Sequence, residues 1–404
     1  MKVAVIGGGA SGFFAAINVR KNYPDSQVMI FEKSTKILSK VKISGGGRCN
    51  VTNTTTKLSE LITAYPRGGR ALKKIFSLFG TGDTKAWFES RGIPLIAESD
   101  GRMFPESQSS QTIIDCFMDE TRTQGIEIKR GFGVNALQAG KDGWELDLGR
   151  WKAVFDKVIV ATGGSPTREG LAWLENLGHK IETPVPSLFT FNMPTEKIIH
   201  LPGLAVENAR VSIQGSKLKS EGPLLVTHWG MSGPAILRLS ALAARDLAEK
   251  QYEFKLQVNW TQESNQDDVL KALSNIQNEH PKKKLANIRP FGLPDRLWRF
   301  FLEKSGCSLL SSWQDVGQKT LNRLVNTLCN DIYTVHGKTT FKEEFVTCGG
   351  ISLDSVDLHT MESRVCPNLY FAGEILDIDG ITGGYNFQAA WSTGFIAAKL
   401  SKEV

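Results

Sequence analysis

The sequence predicts an α/β protein in which both ends of the chain contribute to one parallel sheet. Three features indicate this fold class. The chain begins with a buried strand, a glycine turn and a helix in KVAVIGGGASGFFAAINV, and a continuously apolar strand runs into VIVATGG at residues 158–164. A second strand, glycine turn and helix follow near the end, in LYFAGE and DGITGGYNFQAAWSTG. With 404 residues, the chain is expected to form two or three domains.

The other elements are predicted in order along the chain. QVMIFEK is the second strand of an opening βαβ unit, residues 58–124 are mainly helical with a short strand pair at 92–106, and strands fill residues 125–161. From Ser187 the pattern is typical of antiparallel strands, whereas Gln262 to about Thr334 is amphipathic and helical. We therefore predict an α/β domain of two segments, 1–187 and 346–404, an inserted β domain, 188–261 and 335–345, and a helical subdomain, 262–334.

The composition excludes several classes of protein. Hydrophobic residues make up 41% and charged residues 22%, which is typical neither of disorder nor of a fibrous repeat. Lysine and arginine exceed aspartate and glutamate by 48 to 42, and this mild excess permits an anionic partner without requiring one. The densest basic cluster, PKKKLANIR at residues 281–289, fits either a nucleic-acid contact or a solvated helix face.

The six cysteines are scattered along the chain and predict neither disulfides nor a metal centre. No cysteine pair or cysteine–histidine spacing matches a zinc site, so no metal is expected. Unpaired thiols are typical of the cytoplasm, where we expect this protein. Since no stretch of about 20 apolar residues is present, no membrane-spanning helix is predicted.

The first glycine turn carries a dinucleotide-binding fingerprint. Gly7, Gly9 and Gly12 form G-x-G-x-x-G between a strand and a helix. The first glycine makes the turn, the second lets a pyrophosphate approach the backbone, and the third lets the helix pack on the strand. Glu32, at the end of the second strand, is placed to accept hydrogen bonds from a ribose. The N-terminal domain is therefore predicted to be Rossmann-like and to bind a dinucleotide.

The far end of the chain indicates that this dinucleotide is FAD. YFAGE is an apolar strand that ends in glycine and an acid, and DGITGGYNFQAAWSTG then opens a helix. An FAD needs such a second site because its ribitol and flavin extend well beyond the first loop, whereas an NAD domain does not need one. The acid, Glu374, would hold ribitol hydroxyls, and the helix start would offer backbone N–H groups to the cofactor.

A second glycine run, KISGGGRCNVTN at residues 42–53, is predicted to follow the extended cofactor toward the flavin ring. Its three glycines would let the backbone lie against the cofactor, and Lys40 and Arg48 would supply positive charge. The alternative is a plain glycine turn flanked by surface cations. Cys49 is a candidate proton donor, although a small buried thiol is the commoner fate of a cysteine.

Together these motifs resemble the aminoacetone oxidase-like flavoproteins, the BaiN/YhiN group of FAD-dependent oxidoreductases. The resemblance covers nearly the whole chain and rests mainly on KISGGGRCNVTN, GRMFPES, VIVATGG, LLVTHWGMSGPAIL, VTCGGIS and GGYNFQ. It implies a Rossmann-like FAD-binding domain built from two segments, an inserted antiparallel β-barrel-like domain and a small helical domain. Relatives commonly carry Gly-Arg-Lys where this chain has Leu38-Ser39-Lys40, so only the lysine is carried over.

The resemblance also implies a set of FAD contacts at matching positions of this chain. These contacts are Gly7, Gly9, Ala10, Ser11, Gly12, Glu32, Lys33, Lys40, Gly46, Arg48, Val134, Ala161, Thr162, Gly163, Gly373, Glu374, Asp377, Gly384, Asn386 and Gln388.

The reaction is less closely defined than the cofactor. The chain has no second G-x-G-x-x-G, so either the substrate reduces the flavin or NAD(P)H docks transiently at the ring. Candidate proton donors are His228, in THWGMSGP, Cys49 and Tyr385. For His228 the alternative is a histidine that braces a turn.

The substrate stays open between three hypotheses. Members of the resembled family oxidise aminoacetone, reduce a steroid-type enone, or reduce a uridine of ribosomal RNA, and the last two reactions both reduce a C=C bond conjugated to a carbonyl. The mild positive charge favours uridine in 23S rRNA over a small molecule. The other hypotheses are a small-molecule amine oxidase that uses O2 and a non-catalytic flavin-binding protein. The oligomeric state is not predicted.

Overall fold

The computed structural model describes residues 1–149, 151–261, 263, 265–339 and 346–401. The chain divides into two compact units, Met1–Ser187 with Phe341–Val404, and Leu188–Thr340. Within the described residues, no helix combines the length and the apolar composition needed to cross a bilayer.

The strands of the described residues are as follows: β1 Lys2–Ile6, β2 Gln27–Glu32, β3 Thr52–Asn53, β4 Leu95–Ala97, β5 Arg102–Pro105, β6 Glu127–Arg130, β7 Ala136–Gly140, β8 Gly143–Asp147, β9 Lys152–Phe155, β10 Lys157–Val160, β11 Ile181–Ser187, β12 Thr190–Asn192, β13 Ala205–Ile213, β14 Lys219–Val226, β15 Gly230–Ser232, β16 Glu253–Asn259, β17 Asp331–His336, β18 Lys338–Thr339, β19 Val346–Ile351, β20 Val356–Asp357, β21 Glu362–Ser363 and β22 Leu369–Phe371.

The α-helices are as follows: α1 Ala10–Asn22, α2 Ser39–Gly47, α3 Leu58–Leu61, α4 Gly69–Leu78, α5 Thr81–Glu89, α6 Ser110–Thr123, α7 Ala172–Glu175, α8 Pro234–Leu242, α9 Ala244–Glu249, α10 Gln266–Glu279, α11 Asp295–Lys304, α12 Gln318–Cys329 and α13 Tyr385–Ala397.

The two-segment unit is organised by a seven-stranded sheet with the order β20-β21-β22-β10-β1-β2-β6. The strands from β22 to β6 are parallel, because each neighbouring pair has parallel register. Val3, Ala4 and Val5 of β1 have no exposed surface, as expected for a central strand covered on both faces. The sheet therefore confirms the predicted Rossmann-type α/β fold, with β22 from the C-terminal segment beside β10 from the N-terminal one.

Helices α1 and α13 pack against each other beside this sheet. A Cβ built on Gly394 would lie 3.0 Å from the backbone oxygen of Ser11, so a larger residue would require the two helices to move slightly apart. The aromatic rings of Phe14, Trp87 and Trp391 fill the space next to the crossing, with ring centroids 4.8 and 5.4 Å from Phe14. Both helices are apolar on nearly every side, which explains why they lie inside the unit.

The second unit contains an antiparallel sheet with the order β17-β16-β13-β14-β15-β12-β18 and the helices α8 to α12. Its core includes the buried indoles of Trp260, Trp298 and Trp313. Asn265 caps the N-terminus of α10, because its side chain accepts a hydrogen bond from the backbone N–H of Asp267 at 2.9 Å.

The structure differs from the sequence-based expectations at one boundary and in one helix. The helical segment, expected to reach Thr334, ends at Cys329, and Asp331–His336 forms β17 because its buried residues alternate with a period of two. The residues that lead into the second glycine run, for which no helix was predicted, form the helix α2. This helix departs from helical geometry at Ser44, Gly45 and Gly46, where the glycines take positive φ.

Candidate functional site

The carboxyl ends of the parallel strands bring most of the predicted cofactor residues to one edge of the sheet. Gly7 follows β1, Glu32 ends β2, Ala161 follows β10 and Gly373 follows β22. In open α/β sheets, ligands bind outside this edge. The two ends of the chain therefore meet where the fingerprint residues lie.

The three glycines of the first turn have different surroundings. A Cβ on Gly7, where φ is +117°, would lie 2.3 Å from the backbone oxygen of Ala161, and a Cβ on Gly12 would lie 2.0 Å from the backbone oxygen of Gly7. A Cβ on Gly9 would meet no atom of the described residues within 4 Å. The outer two glycines are thus required by packing, whereas the middle one borders open space.

That open space adjoins the N-terminus of α1. Gly9 is the residue that caps α1, and it has no side chain to accept a hydrogen bond from the first turn, where acidic residues are also absent. Ala10 and Ser11 begin the helix, and the Ser11 hydroxyl donates to the backbone oxygen of Ala372 at 3.4 Å. Unpaired N–H groups at a helix N-terminus attract an anion, so this turn can hold a pyrophosphate.

The Glu32 carboxylate is held in place by the backbone. One oxygen accepts from the N–H of Gly8 at 2.8 Å, and the other accepts from the N–H of Ser34 at 2.8 Å. A carboxylate oxygen has a further lone pair, so the group can still accept a ribose hydroxyl. Lys33 is exposed next to it, and Gly133, which precedes Val134, lies against Lys33, since a Cβ on Gly133 would be 3.3 Å from the Lys33 Cβ.

Glu374 joins three segments of the chain at the same edge. One of its carboxylate oxygens lies 2.5 Å from the Lys40 ammonium, and the other accepts from the backbone N–H of Thr347 at 2.9 Å. A Cβ on Gly163 would lie 3.9 Å from this carboxylate, and Thr162 is exposed beside it. Lys40, Thr347 and Gly163 are far apart in sequence, so Glu374 links both ends of the chain around the open turn.

Gly373 closes this junction. Its φ is +76°, and a Cβ there would lie 2.4 Å from the Ser11 hydroxyl, so a larger residue would push α1 away. Its N–H donates to the Thr393 hydroxyl at 2.8 Å. Farther along, the N–H of Asp377 donates to the backbone oxygen of Ile351 at 2.9 Å.

A buried ion pair holds the loop after Asp377. Asp379 has no exposed surface, and the Arg67 Nε donates to one of its oxygens at 2.5 Å, while the Ser187 hydroxyl donates to the other at 2.7 Å. Burial raises the pKa of Asp379, and the contact with Arg67 opposes that shift. The Asn386 side chain closes the loop by accepting from the N–H of Gly380 at 2.8 Å and donating to its oxygen at 2.9 Å.

The second glycine run reaches the N-terminus of α13. Gly46 and Gly47 have positive φ, and a Cβ on either would meet no other part of the described chain within 4 Å. The segment that follows bonds to the start of α13, because the Asn53 amide donates to the backbone oxygen of Gly383 at 3.0 Å. Gly384 has a φ of +87°, and a Cβ there would lie 2.4 Å from the backbone oxygen of Thr52. The second run therefore supports the C-terminal glycine turn.

Three residues of this region that were predicted as cofactor contacts or proton donors are packed against other parts of the protein. Arg48 donates to Glu98 at 2.6 Å and lies 4.0 Å from the centroid of the Phe104 ring. Gln388 has no exposed surface, and its side-chain oxygen accepts from the hydroxyl of Thr52 at 2.5 Å. Cys49 also has no exposed surface.

The environment of Cys49 favours the packing role over the chemical one. Burial raises the pKa of its thiol to about 12, although a hydrogen bond with Ser44 opposes the shift. A thiol in that state has little reactivity near neutral pH. We therefore leave Cys49 out of the proposed reaction.

Tyr385, the first residue of α13, lies among polar groups that the sequence analysis did not select. Its phenolic oxygen is 3.5 Å from the Thr55 hydroxyl, which in turn donates to the Asn53 side-chain oxygen at 2.7 Å. The Tyr65 hydroxyl donates to the backbone oxygen of Tyr385 at 2.7 Å, and burial keeps the pKa of Tyr65 well above its usual value. No spacing pattern marks Tyr65 or Thr55, because both lie outside the glycine motifs.

His228 lies in the other unit, on the turn between β14 and β15. It is exposed, and its ring centroid is 4.2 Å from that of Trp229, which is 48% exposed. No group of three or more His, Cys, Asp or Glu side chains in the described residues is arranged to hold a metal ion.

The residues at the sheet edge fit an extended dinucleotide. Open space lies beside Gly9, Gly46 and Gly47, a carboxylate is held at the end of β2, and an acid and a lysine meet at the junction of the two segments. Among the described residues, the buried hydroxyl of Thr347, next to Glu374, has no hydrogen-bond partner. This set can receive a pyrophosphate, a ribose and a polyol chain.

Two relatives match nearly the whole chain. The chain is 28% identical over its whole length to the 3-dehydro-bile acid delta(4,6)-reductase of Clostridium scindens, of which 99% is covered. It is also 28% identical, over 98% of this chain and 96% of the relative, to the ribosomal RNA dihydrouridine synthase of Escherichia coli.

Solved structures share the fold. The 3-ketosteroid delta1-dehydrogenase of Sterolibacterium denitrificans aligns over 98% of both chains with a TM-score of 0.53 at 11% identity. The open conformation of a flavocytochrome c3 fumarate reductase aligns over 99% of this chain and 77% of that one, with a TM-score of 0.52 at 16% identity. The family model described as "HI0933-like protein Rossmann domain" matches residues 1–400. The chain therefore belongs to this HI0933-like Rossmann family of FAD-dependent oxidoreductases.

Proposed function

We propose that this protein reduces a C=C bond conjugated to a carbonyl, and that its leading substrate is a uridine of 23S rRNA, which becomes dihydrouridine. The observation that carries the proposal is the agreement between two relatives that match almost the whole chain. One is named for reduction at positions 4 and 6 of a bile acid, and the other for the formation of dihydrouridine in ribosomal RNA. The two substrates are unlike, yet both reactions add two hydrogens to such a bond.

The cofactor residues have separate tasks in this proposal. The N-terminus of α1, with Gly9 at its open side, would bind the pyrophosphate of FAD, and Glu32 would bind the adenosine ribose. Glu374, with Lys40 beside it, would bind the ribitol at the junction of the two segments. Gly46 and Gly384 would let the backbone approach the ring, and NAD(P)H would dock transiently as the reductant. Bound FAD supplies the electron pair that reduces the C=C bond.

Tyr385 would deliver the proton to the carbon next to the substrate carbonyl. Its ring borders Gly383, since a Cβ there would lie 2.7 Å from the ring, and Thr55 can accept the hydrogen bond of the Tyr385 hydroxyl because Thr55 itself donates to Asn53. The contact from Tyr65 orients the backbone of Tyr385. The positive end of α13, which has no acidic residue in its first turn, would stabilise negative charge on the substrate carbonyl. His228 remains a second candidate donor.

The architecture implied by the family resemblance belongs to the same proposal. The inserted sheet, residues 188–261 with the strand that follows α12, would form the barrel-like domain. The helical domain would then end at Cys329, because Asp331–His336 pairs with β16. Ribosomal RNA as the substrate would place the protein in the cytoplasm.

The reductant can be tested by mixing FAD-loaded protein anaerobically with NADH, NADPH or aminoacetone and following the flavin absorbance. We expect a pyridine nucleotide to bleach it. Rapid bleaching by aminoacetone, with peroxide release in air, would support the amine oxidase hypothesis instead. No bleaching by any of the three would support a non-catalytic flavin protein.

The substrate can be tested with 23S rRNA isolated from cells that lack the protein. After incubation with reduced protein, digestion and mass spectrometry should detect new dihydrouridine, and unreduced protein provides the control. If the rRNA stays unmodified while a steroid enone is reduced, the RNA assignment is wrong and the reductase assignment stands.

A further inference from the structure

The helical segment of the second unit holds most of the excess positive charge of the chain. Residues 266–329 contain ten lysines and arginines against six aspartates and glutamates. The excess is four, whereas the whole chain has an excess of only six. The positive charge is thus concentrated in about a sixth of the residues, which suggests a local role rather than general solubility.

A cleft in this segment is lined by donors of hydrogen bonds. It has a volume of about 510 Å³ and lies along α12 and the end of α11. The lining includes the cations Lys304, Lys319 and Arg323 and, beside them, Asn322, Asn326 and Thr327, with no acidic, aliphatic or aromatic side chain among the lining residues. The five α12 residues of this lining recur at helical spacing, so they form one polar face of the helix.

The three cations of the cleft differ in whether they form an ion pair. The Lys304 ammonium lies 2.5 Å from the carboxylate of Asp331, which is 3% exposed and accepts hydrogen bonds from Trp260 and Tyr333. Lys304 is therefore committed to neutralising a buried acid. Lys319 and Arg323 are exposed, and among the described residues neither lies within ion-pair distance of a carboxylate. Arg323 donates to the Thr320 hydroxyl at 3.1 Å and keeps further donors.

The chemistry of the lining selects the kind of ligand. Sites for steroids and other small apolar molecules are lined mainly by hydrophobic and aromatic side chains, which this cleft lacks. Two uncompensated cations favour phosphate groups, and the asparagine amides can bind the sugar hydroxyls or base edges of a polynucleotide. Because the cleft is open, a strand of RNA can pass along it.

We infer that the cleft along α12 binds the phosphate backbone of the RNA substrate through Lys319 and Arg323. This inference rests on the proposed function and extends it, because it assigns an RNA-binding surface to the helical segment, away from the nucleotide fingerprint in sequence. The exposed lysines of PKKKLANIR, Lys282 to Lys284, belong to the same segment and extend its positive surface.

The test compares two variants that each remove two exposed positive charges from the second unit. Lys319→Gln with Arg323→Gln changes the cleft, and Lys217→Gln with Lys219→Gln changes the turn between β13 and β14, which does not line it. Lys304 is left intact, because its removal would leave the buried carboxylate of Asp331 without the cation that neutralises it. Binding of 23S rRNA from cells lacking the protein is measured with the FAD-loaded proteins across a series of salt concentrations.

We expect the cleft variant to bind rRNA at least about tenfold more weakly at moderate salt, and its dependence of log K on log salt to flatten by about 1.4 to 1.8, because each phosphate contact contributes about 0.7 to 0.9. The control variant should bind like the wild type. Flavin reduction by NAD(P)H should be unchanged in both variants. In the wild type, bound rRNA should protect Lys319, but not Lys217, from acetylation detected by mass spectrometry.

The outcomes separate the inference from the function on which it rests. If the wild type binds and modifies rRNA while the cleft variant does so equally well, or if both variants lose equal affinity, the cleft is not the binding surface and the proposed function survives. If the wild type neither binds nor modifies rRNA, both proposals are overturned.

Discussion

Replacing Gly9 by alanine separates cofactor binding from folding. A Cβ at this position meets no atom within 4 Å, and the backbone, with φ −97° and ψ −168°, is one that alanine adopts freely. Alanine is a poorer helix cap than glycine by about 0.5–1.5 kcal/mol, but it also restricts the unfolded chain by about 0.4–1 kcal/mol. The free energy of unfolding of the apoprotein should therefore change by less than about 1 kcal/mol.

The affinity for FAD should fall much more. The added methyl group takes the space where a pyrophosphate would approach the N-terminus of α1, so at least one hydrogen bond to a charged oxygen is lost. Such a bond contributes about 1.5–3 kcal/mol, which corresponds to a loss of affinity of about 10- to 150-fold. Titration of the apoprotein with FAD, followed by flavin fluorescence, measures the affinity, and denaturant unfolding measures the stability.

Gly7→Ala is the matched control, because its Cβ would lie 2.3 Å from a backbone oxygen at a positive φ. That variant should lose about 3 kcal/mol of stability or more with or without cofactor. The reasoning is refuted if Gly9→Ala binds FAD as tightly as the wild type, or if the apoprotein of that variant unfolds as readily as Gly7→Ala.

Three further predictions concern the proton donor, the buried ion pair and the buried thiol. Tyr385→Phe should slow substrate reduction by a factor of about 10²–10⁴, while reduction of the flavin by NAD(P)H keeps its rate. Stopped-flow measurements of the two half-reactions test this. Equal slowing of both half-reactions would contradict the role of Tyr385 as proton donor. Arg67→Met should cost about 3–5 kcal/mol in denaturant unfolding, because Asp379 stays buried, and adding Asp379→Asn should restore part of this loss; no restoration would argue against the pair. Burial raises the pKa of Cys49 from 9.0 to about 12. The contribution of the protonated thiol to the free energy of unfolding is therefore complete below pH 9, and above pH 9 it declines by about 1.4 kcal/mol per pH unit. Cys49→Ala should therefore lose less stability than the wild type between pH 8 and 10, and an identical decline would be the contrary result.

Local patterns were sufficient to predict the nucleotide-binding elements. Gly7, Gly9, Gly12 and Glu32 follow from spacing along the chain, because a strand, a tight turn and a helix are formed by residues that are neighbours in sequence. The continuously apolar composition of a strand such as β10 also indicated a parallel sheet covered on both faces. The structure bears out this α/β organisation.

Contacts between distant segments could not be read in the same way. Cofactor contacts were expected for Arg48 and Gln388, whereas no motif marks Tyr65, and Thr347 lies in VTCGGIS without an expected role of its own. In the structure, Arg48 donates to Glu98, and the side chain of Gln388 accepts from the hydroxyls of Thr52 and Thr84. The polar partner that a side chain contacts depends on how helices and hairpins pack together. No periodic pattern in the local sequence predicts that packing.

The sequence by itself determined that a strand, a glycine turn and a helix occur at both ends of the chain, because glycine spacing and apolar runs act over a few residues. Only the tertiary structure decided that these ends meet, with Gly373 against Ser11 and Glu374 against Lys40. The reason is that β22 pairs with β10 across more than two hundred residues of intervening chain, and the registry of that pairing is set by burial of the sheet as a whole.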